Sequence, residues 1–385
     1  MKKLFFIGII GIIAFEILKV YFIMPMPGSQ RMNSIDVAYF LHSYRWLFRA
    51  LFGGLILAGV MPVFQGKRKW IPAVCVVIAL AVIYLFNFKM MADQMFKQPE
   101  NLVFKGKAEN VLGDSTIVLG VEYNGEAKAY PLRFIVYHHQ VQDVIGGKPM
   151  IITYCSVCRT GRVFEPSVKG QPEKFRLVGM DHFNAMFEDE TTGSWWRQVN
   201  GEAIAGPLEG ESLPEVECHQ VTLAKLFELY PHAVVMQEDE ASLENYDSLG
   251  RYERGKSKGD LTRTDSLSWN EKSWVVGIVV GQESKAYDWN QLKTERLIQD
   301  ELGGKAIAVA IASDNASFVA FERDSDTTQF SIRNDSLLVN GQAYDFVGRS
   351  HSNPTQRLKT IKAYQEFWHS WRTFHPQTKK YDGTK

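Results

Sequence analysis

The chain has 385 residues, 45% of them hydrophobic, with 43 basic and 43 acidic side chains; that length calls for two or more domains with a sizeable core. The balance is uneven, because residues 1–90 carry ten Lys/Arg against Glu16 and Asp36, a net of +8, which leaves −8 for the remainder. An acidic globular part argues against nucleic acid as a partner, since phosphate binding draws on clustered Lys and Arg, and four cysteines are too few for a disulfide-framework fold.

Three long apolar runs open the chain: Leu4–Met26, closed by Pro27 and Gly28; a stretch within Ala38–Phe64; and Trp70–Phe88. A helix needs about 20 apolar residues to cross a hydrocarbon core of roughly 30 Å, and each run supplies them. No small-residue cleavage site follows the first run, so three uncleaved spans are expected rather than a signal peptide. Lys2 and Lys3 share a side with Lys67, Arg68 and Lys69, whereas the first loop carries only Arg31. The positive-inside rule then puts the N-terminus in the cytoplasm and everything after Lys89 outside, although Arg45 and Arg49 near the outer end of the second span run against it. Glu16 and Lys19, at i and i+3, share one helix face, either as part of an ion path or as a neutralised pair at a helix–helix contact. Three spans with so little polarity read as an anchor.

Residues 91–108 form a polar linker, and beyond it the chain repeats at a spacing of 157. Val118-Leu119-Gly120 through Lys128-Ala129-Tyr130 returns as Val275-Val276-Gly277 through Lys285-Ala286-Tyr287; Asp143, Gly146-Gly147-Lys148 and Phe164-Glu165 return as Asp300, Gly303-Gly304-Lys305 and Phe321-Glu322. The domain plan is a membrane anchor over 1–90, a linker over 91–108, a first repeat over 109–240, an exposed polar connection over 241–270, and a second, degenerate repeat over 271–385. Strands are predicted at Thr116–Tyr123, Ala127–Leu132, Met150–Tyr154, Arg162–Glu165, Phe175–Val178 and Ala203–Ile204, each short and rich in β-branched or aromatic residues. Helices are predicted at Phe134–Val144, at Thr222–Tyr230 with Thr222 as N-cap, and at Ile361–Phe374, whose aromatic stripe suits a core or the contact between the copies. The fold class expected is α+β, mainly β: a tandem duplicated domain behind three N-terminal transmembrane helices, the two repeats packed on each other.

The sharpest chemical feature is Thr153-Tyr154-Cys155-Ser156-Val157-Cys158-Arg159-Thr160-Gly161. Cysteines at this spacing can present both sulfurs to one metal ion or close a short disulfide. Arg159 stands where a c-type haem attachment needs His, and the residues that follow suit a turn into a strand rather than the helix of a thioredoxin-like motif. No nucleotide or flavin motif, hydrolase elbow or His-Glu-x-x-His sequence occurs. At the offset of 157, Ala312 and Asn315 replace Cys155 and Cys158, and Glu295 and Arg296 replace His138 and His139. The first repeat alone keeps the cysteine and histidine pairs.

The runs YPLRFIVYHHQVQDVIGGKPMIITYCSVCRTGRVFEP and FEDETTGSWWRQVNGEAIAGPLEGESL resemble the bacterial family called domain of unknown function 3179. Its pattern runs Trp-His-Glu, then Gly-Gly, then Thr-Tyr-Cys-Pro-Leu-Cys-x-Thr-Gly, then Asp-x-x-Thr-Gly-Ser-x-Trp-x-Gln, then Gly-x-Ala-Ile-x-Gly. The resemblance covers Gly120 to Gly210 and extends through the repeat toward the C-terminus; it brings no reaction with it. It implies importance for His138, Cys155, Cys158, Thr160, Gly161, Asp189, Thr192, Gly193, Ser194, Trp196 and Gln198. The chain departs from the pattern at Tyr137, at His139, where the family has Glu, and at Ser156-Val157.

Two readings stay open. In the first, Cys155, Cys158 and His138, with Asp189 or His182 as a fourth ligand, hold zinc or copper, or the two cysteines act as a redox pair, with Arg159 or Thr160 tuning a thiolate or anchoring the turn. In the second, the protein is a non-catalytic binding or assembly module with a structural Cys155–Cys158 disulfide and an extracytoplasmic protein partner. Asp189 has a bland alternative, a turn residue bonded to local N–H groups, and His138 another, a core histidine. Either way the expected location is the bacterial inner membrane, multi-pass, with the C-terminal domain extracytoplasmic.

Overall fold

The computed structural model describes residues 1–247, 249–353 and 355–383. The chain forms two compact units, one of residues 1–97 and 173–212, the other of residues 98–172 and 213–385. In the first unit, α1 (Lys2–Tyr21), α2 (Ile35–Ser43), α3 (Arg45–Phe64) and α4 (Trp70–Tyr84) follow the apolar runs. A π-helical turn carries α4 on through Lys89, and α5 (Ala92–Met95) is a single turn. Lys2–Tyr21, Arg45–Phe64 and Trp70–Lys89 are each long and apolar enough to span a membrane. Glycines let α1 and α3 approach closely: a Cβ on Gly8 would lie 2.7 Å from the Phe52 carbonyl oxygen, and one on Gly59 would lie 2.6 Å from the Phe5 nitrogen.

The polar residues of these helices converge. Glu16 accepts from Lys19 at 3.0 Å, Arg49 Nε at 2.7 Å and Asn87 Nδ2 at 2.9 Å. The expected Glu16–Lys19 pair therefore exists, and it sits at a contact of three helices. Burial of an unpaired charge there is costly, which is why the one carboxylate collects every donor within reach.

The second unit begins with β1 (Phe104–Gly106), β2 (Ile117–Tyr123) and β3 (Glu126–Pro131). Asn124 and Gly125, both at positive φ, join β2 to β3 in a tight hairpin. Next come α6 (Leu132–His138), β4 (Gln140–Ile145), β5 (Lys148–Cys155), β6 (Thr160–Phe164) and the small hairpin β7 (Ser167–Val168) and β8 (Gln171–Pro172). The helix expected over Phe134–Val144 thus runs from Leu132 and stops at His138. His139 adopts a left-handed φ of 59° that ends it, and the next residues pair with β5 as a strand.

The chain then returns to the first unit for β9 (Phe175–Asp181), β10 (Asn184–Asp189), β11 (Trp195–Arg197) and β12 (Ala203–Ala205), an antiparallel sheet ordered β12-β11-β10-β9. This sheet is bonded to the helical segment: Met180 N donates to the Ile23 carbonyl at 2.7 Å, Tyr39 Oη to the Gly193 carbonyl at 3.2 Å, and His42 meets Glu188 at 3.1 Å.

Back in the second unit lie β13 (Glu215–Val216), β14 (His219–Thr222), α7 (Leu223–Leu229), β15 (Val234–Met236), α8 (Leu243–Tyr246) and α9 (Leu249–Glu253). Thr222 caps α7 as expected, its Oγ1 accepting from Lys225 N at 3.2 Å. The connection expected to be exposed instead buries Tyr246, Tyr252 and Glu253. The remainder runs β16 (Trp274–Val280), β17 (Glu283–Asp288), α10 (Trp289–Glu295), β18 (Leu297–Leu302), β19 (Lys305–Ile311), β20 (Phe318–Glu322), β21 (Phe330–Arg333), β22 (Ser336–Val339), β23 (Gln342–Tyr344), β24 (Thr360–Ile361), β25 (Ala363–Phe367), α11 (Trp368–Phe374) and β26 (Lys379–Lys380). The helix expected over Ile361–Phe374 is therefore a strand leading into a helix. Its first half pairs with β16, where strand hydrogen bonds outweigh the helical spacing of the aromatics.

Strand orders in the two halves of this unit correspond. The sequence β15-β3-β2-β14 is matched by β26-β17-β16-β25, and β13-β6-β5-β4 by β24-β20-β19-β18. Buried details correspond too: Lys128 and Tyr130 both donate to Asp143, as Lys285 and Tyr287 do to Asp300. A Cβ on Gly120 would meet Leu226 of α7 at 2.3 Å, and one on Gly277 would meet Trp371 of α11 at 2.2 Å.

Candidate functional site

Strand β5 ends at Cys155, which lies opposite Thr160 across the β5–β6 turn. Cys158 sits within that turn, and both thiols are fully buried, neither in a disulfide. Burial, and after it the neighbouring Cys155, pushes the Cys158 thiol well above its ordinary range, an effect that the Ser370 hydroxyl opposes.

Arg159 takes a left-handed φ of 55° to turn the chain, a conformation that costs a non-glycine residue about 1–2 kcal/mol. Its buried guanidinium repays that cost. It donates to Gln365 Oε1 at 3.1 Å, to the Tyr252 carbonyl at 3.2 Å and to the Glu253 carbonyl at 2.9 Å, and it stacks 3.6 Å from the Trp274 ring centroid. Next along, Thr160 Oγ1 donates to Glu366 Oε1 at 3.1 Å; the same oxygen takes Arg162 Nη2 at 2.7 Å, and Ser370 Oγ donates to Oε2 at 2.8 Å. The Cys158 carbonyl accepts from Phe367 N at 2.8 Å.

On the other flank stands Lys272, whose ammonium donates to the Val157 carbonyl (2.8 Å) and the Leu261 carbonyl (2.6 Å) and lies 3.1 Å from His369 Nε2, itself 3.0 Å from the Val157 carbonyl. Burial depresses its pKa to about 8, while the nearby thiols Cys158 and Cys155 act to raise it. His369 is held neutral, its pKa pushed down to about 3 by burial and by Lys272.

The dithiol turn thus comes from one half of the unit, while Lys272, Gln365, Glu366, His369 and Ser370 come from the other. Sequence reasoning missed these five because it searched only the copy that keeps the cysteines. The available signal was three polar residues, Glu366, His369 and Ser370, interrupting an aromatic stripe.

The other candidate residues are placed differently. His138, at the end of α6, is fully buried with Nε2 2.5 Å from Tyr246 Oη. His139 Nδ1 lies 2.9 Å from the Tyr154 carbonyl, and burial pushes its pKa down to about 4. Asp189 belongs to the first unit and closes a turn: its carboxylate accepts from Thr192 N (2.5 Å), Thr192 Oγ1 (2.8 Å), Ser194 N (3.1 Å) and Trp196 Nε1 (2.9 Å), with Gly193 at φ 68° between. Ser194 Oγ accepts from Leu208 N at 3.1 Å, and Gln198 Oε1 from Asn184 Nδ2 at 3.0 Å. Four donors saturate a carboxylate, so this motif holds its own sheet together. Among the described residues no group of three or more His, Cys, Asp or Glu is arranged to hold a metal ion.

A cavity of about 50 Å³ lies beside the turn, lined by Gly161, Glu215, Cys218, His219, Tyr364 and Gln365. No curated protein and no solved structure matches the chain. The family described as a protein of unknown function (DUF3179) matches residues 99–378, most of the chain and all of the dithiol site, and the chain belongs to that family.

Proposed function

We propose that this is a membrane-anchored, extracytoplasmic dithiol/disulfide protein whose working centre is the Cys155/Cys158 pair. The observation that carries the reading is that two free, buried thiols stand around one turn, Cys155 at the end of β5 and Cys158 within the β5–β6 connection. Two thiols at that spacing can lose two protons and two electrons and close a short disulfide. The chemical class of partner is a second disulfide. One thiolate attacks it, forming a mixed disulfide and releasing one partner thiol; the other thiolate then attacks, closing Cys155–Cys158 and releasing the second. The protons of the two cysteines end on the two partner thiols. Because both sulfurs are buried, a partner reaches them only when the turn parts from α9, which Arg159 and Tyr252 clasp.

We further infer that the soluble part is a tandem duplication, supported by the shared 157-residue offset and the matching strand orders. The second copy has given up its thiols and walls the site of the first. Extracytoplasmic placement is supported by the charges of Lys2, Lys3 and Lys67–Lys69, and such a compartment permits disulfides.

The test is thiol counting on the denatured full-length protein after equilibration in glutathione buffers. Reversible interconversion of two thiols, lost in Cys155→Ser and in Cys158→Ser, is the expected result. Stoichiometric zinc or copper that disappears in the double variant would replace this reading with a metal site. A disulfide with a potential below about −300 mV would make the pair a staple and the protein an assembly module.

A further inference from the structure

Glu16 is the only acidic residue in the three apolar spans, and it faces Lys19 and Arg49, with Arg45 one helical turn beyond. One carboxylate against three cations leaves positive charge at that end of the helices. Arg49 spends Nε and Nη2 on Glu16 and Asn87, and its Nη1 has no acceptor among the described residues. Arg45 donates through Nη1 to the His42 carbonyl at 2.7 Å, and its Nε and Nη2 likewise have none. The remaining charges near this end do not supply the balance. Glu188 is taken by Arg176, His42 and Trp195, and Asp36 is exposed at the start of α2.

The level in the bilayer is marked by aromatic rings. Tyr44, Trp46, Tyr84 and Phe88 are all exposed around this end, and the Arg49 guanidinium lies 4.9 Å from the Trp46 ring centroid. Exposed Trp and Tyr of this kind sit at the headgroup boundary, so the unspent donors face phosphates and not the hydrocarbon. A guanidinium fork matches phosphate oxygens two at a time, and basic pockets on membrane helices recognise anionic headgroups.

We propose that Arg45 and Arg49 form a binding site for the phosphate of an anionic phospholipid. The proposal rests on the helices crossing a bilayer and is independent of the thiol chemistry. The ligand completes the charge balance of the Glu16 cluster from outside the protein, and so it belongs to the fold of the anchor.

The experiment uses the full chain in nanodiscs of phosphatidylcholine mixed with phosphatidylglycerol, followed by native mass spectrometry of the lipids retained. Wild type is expected to retain phosphatidylglycerol preferentially. Arg45→Gln is expected to lower that preference about fivefold, and Arg45→Lys to lower it less, because it keeps the charge and loses the fork. Lys67→Gln, at the opposite ends of the helices, should leave it unchanged, and excess inorganic phosphate should not displace the lipid. Equal retention of both lipids by wild type would overturn the proposal. So would a preference unmoved by Arg45→Gln in a variant with an unchanged melting curve, a preference abolished by Lys67→Gln, or displacement by inorganic phosphate, which would identify a free-anion site instead.

Discussion

Lys272 and Val157 are 115 residues apart, yet the Lys272 ammonium donates to the Val157 carbonyl at 2.8 Å, inside the Cys-x-x-Cys turn. The contact places a cation beside two buried sulfurs. It also ties the fate of the turn to a residue of the other half of the unit.

The first prediction concerns that cation. Lys272→Gln keeps hydrogen-bond donors near Val157 and Leu261 and removes the charge. Burial keeps Cys158 a thiol at neutral pH, so the cation acts on the thiolate formed as the pair attacks a disulfide. Lys272→Gln is expected to slow reaction with oxidised glutathione about tenfold and to leave the equilibrium at neutral pH near wild type, with Lys272→Arg restoring most of the rate. Thiol counts against time read it directly.

The second concerns pH. His139 and His369 have folded pKa values lowered to about 4 and about 3, below the ordinary histidine value. Between those values and about 6.5 the unfolded chain binds more protons, so stability is full above about 6.5 and falls as pH drops. Two such groups give a slope of up to about 2.7 kcal/mol per pH unit. Denaturant melts at stepped pH should show it, and His369→Gln should remove about half.

A third prediction follows from the charge arithmetic of the apolar helices. Glu16→Gln strips the cluster of its only anion and leaves buried cations facing one another; the expected loss is about 3–5 kcal/mol in detergent. Lys19→Gln brings the Glu16–Arg49 pair to neutrality and should cost less than half as much. Equal losses would contradict the arrangement.

Gly277→Ala supplies a fourth. The added methyl would sit 2.2 Å from the fully buried Trp371 ring, with strand on one side and helix on the other. Overpacking of that kind costs about 1–3 kcal/mol. Gly125→Ala has nothing within 4 Å and meets only the strain of a φ of 81°, about 1–2 kcal/mol, so calorimetry should show it no more destabilising than Gly277→Ala.

Asp189→Ala gives the fifth. It orphans the four donors of the 189–196 turn and should lower the melting temperature of the whole chain, at a cost of about 2–4 kcal/mol. The redox equilibrium of Cys155 and Cys158 should stay as in wild type. A changed potential would return Asp189 to the thiol chemistry.

Much of this was legible from residue order alone. The apolar runs gave the three long helices. Thr222 announced its helix. What stayed hidden were relations across distance. Nothing local distinguishes His139 as the residue that ends α6, because its left-handed φ is set by the strand that follows. Nor does spacing reveal that Glu366 answers Arg162, because the 204 residues between them are brought together only by packing. Asp189 looked like a possible ligand because a carboxylate before Thr-Gly-Ser serves a turn as readily as a metal.

The excursion of the chain between Pro172 and Leu213 has a practical consequence. Strands β9 to β12 take their bonding partners from Ile23, Tyr39, His42 and Asp93, all upstream of Gln98. Removing the apolar helices to obtain a water-soluble fragment would orphan this sheet: Met180 would lose its acceptor, Glu188 its imidazole, and Trp195 the Tyr39 ring packed against it. The fragment to express is one that keeps the stretch around residues 22–43 or that also deletes 173–212. Trimming at the end of the third helix alone would amputate most of a folded unit and leave its sheet to aggregate.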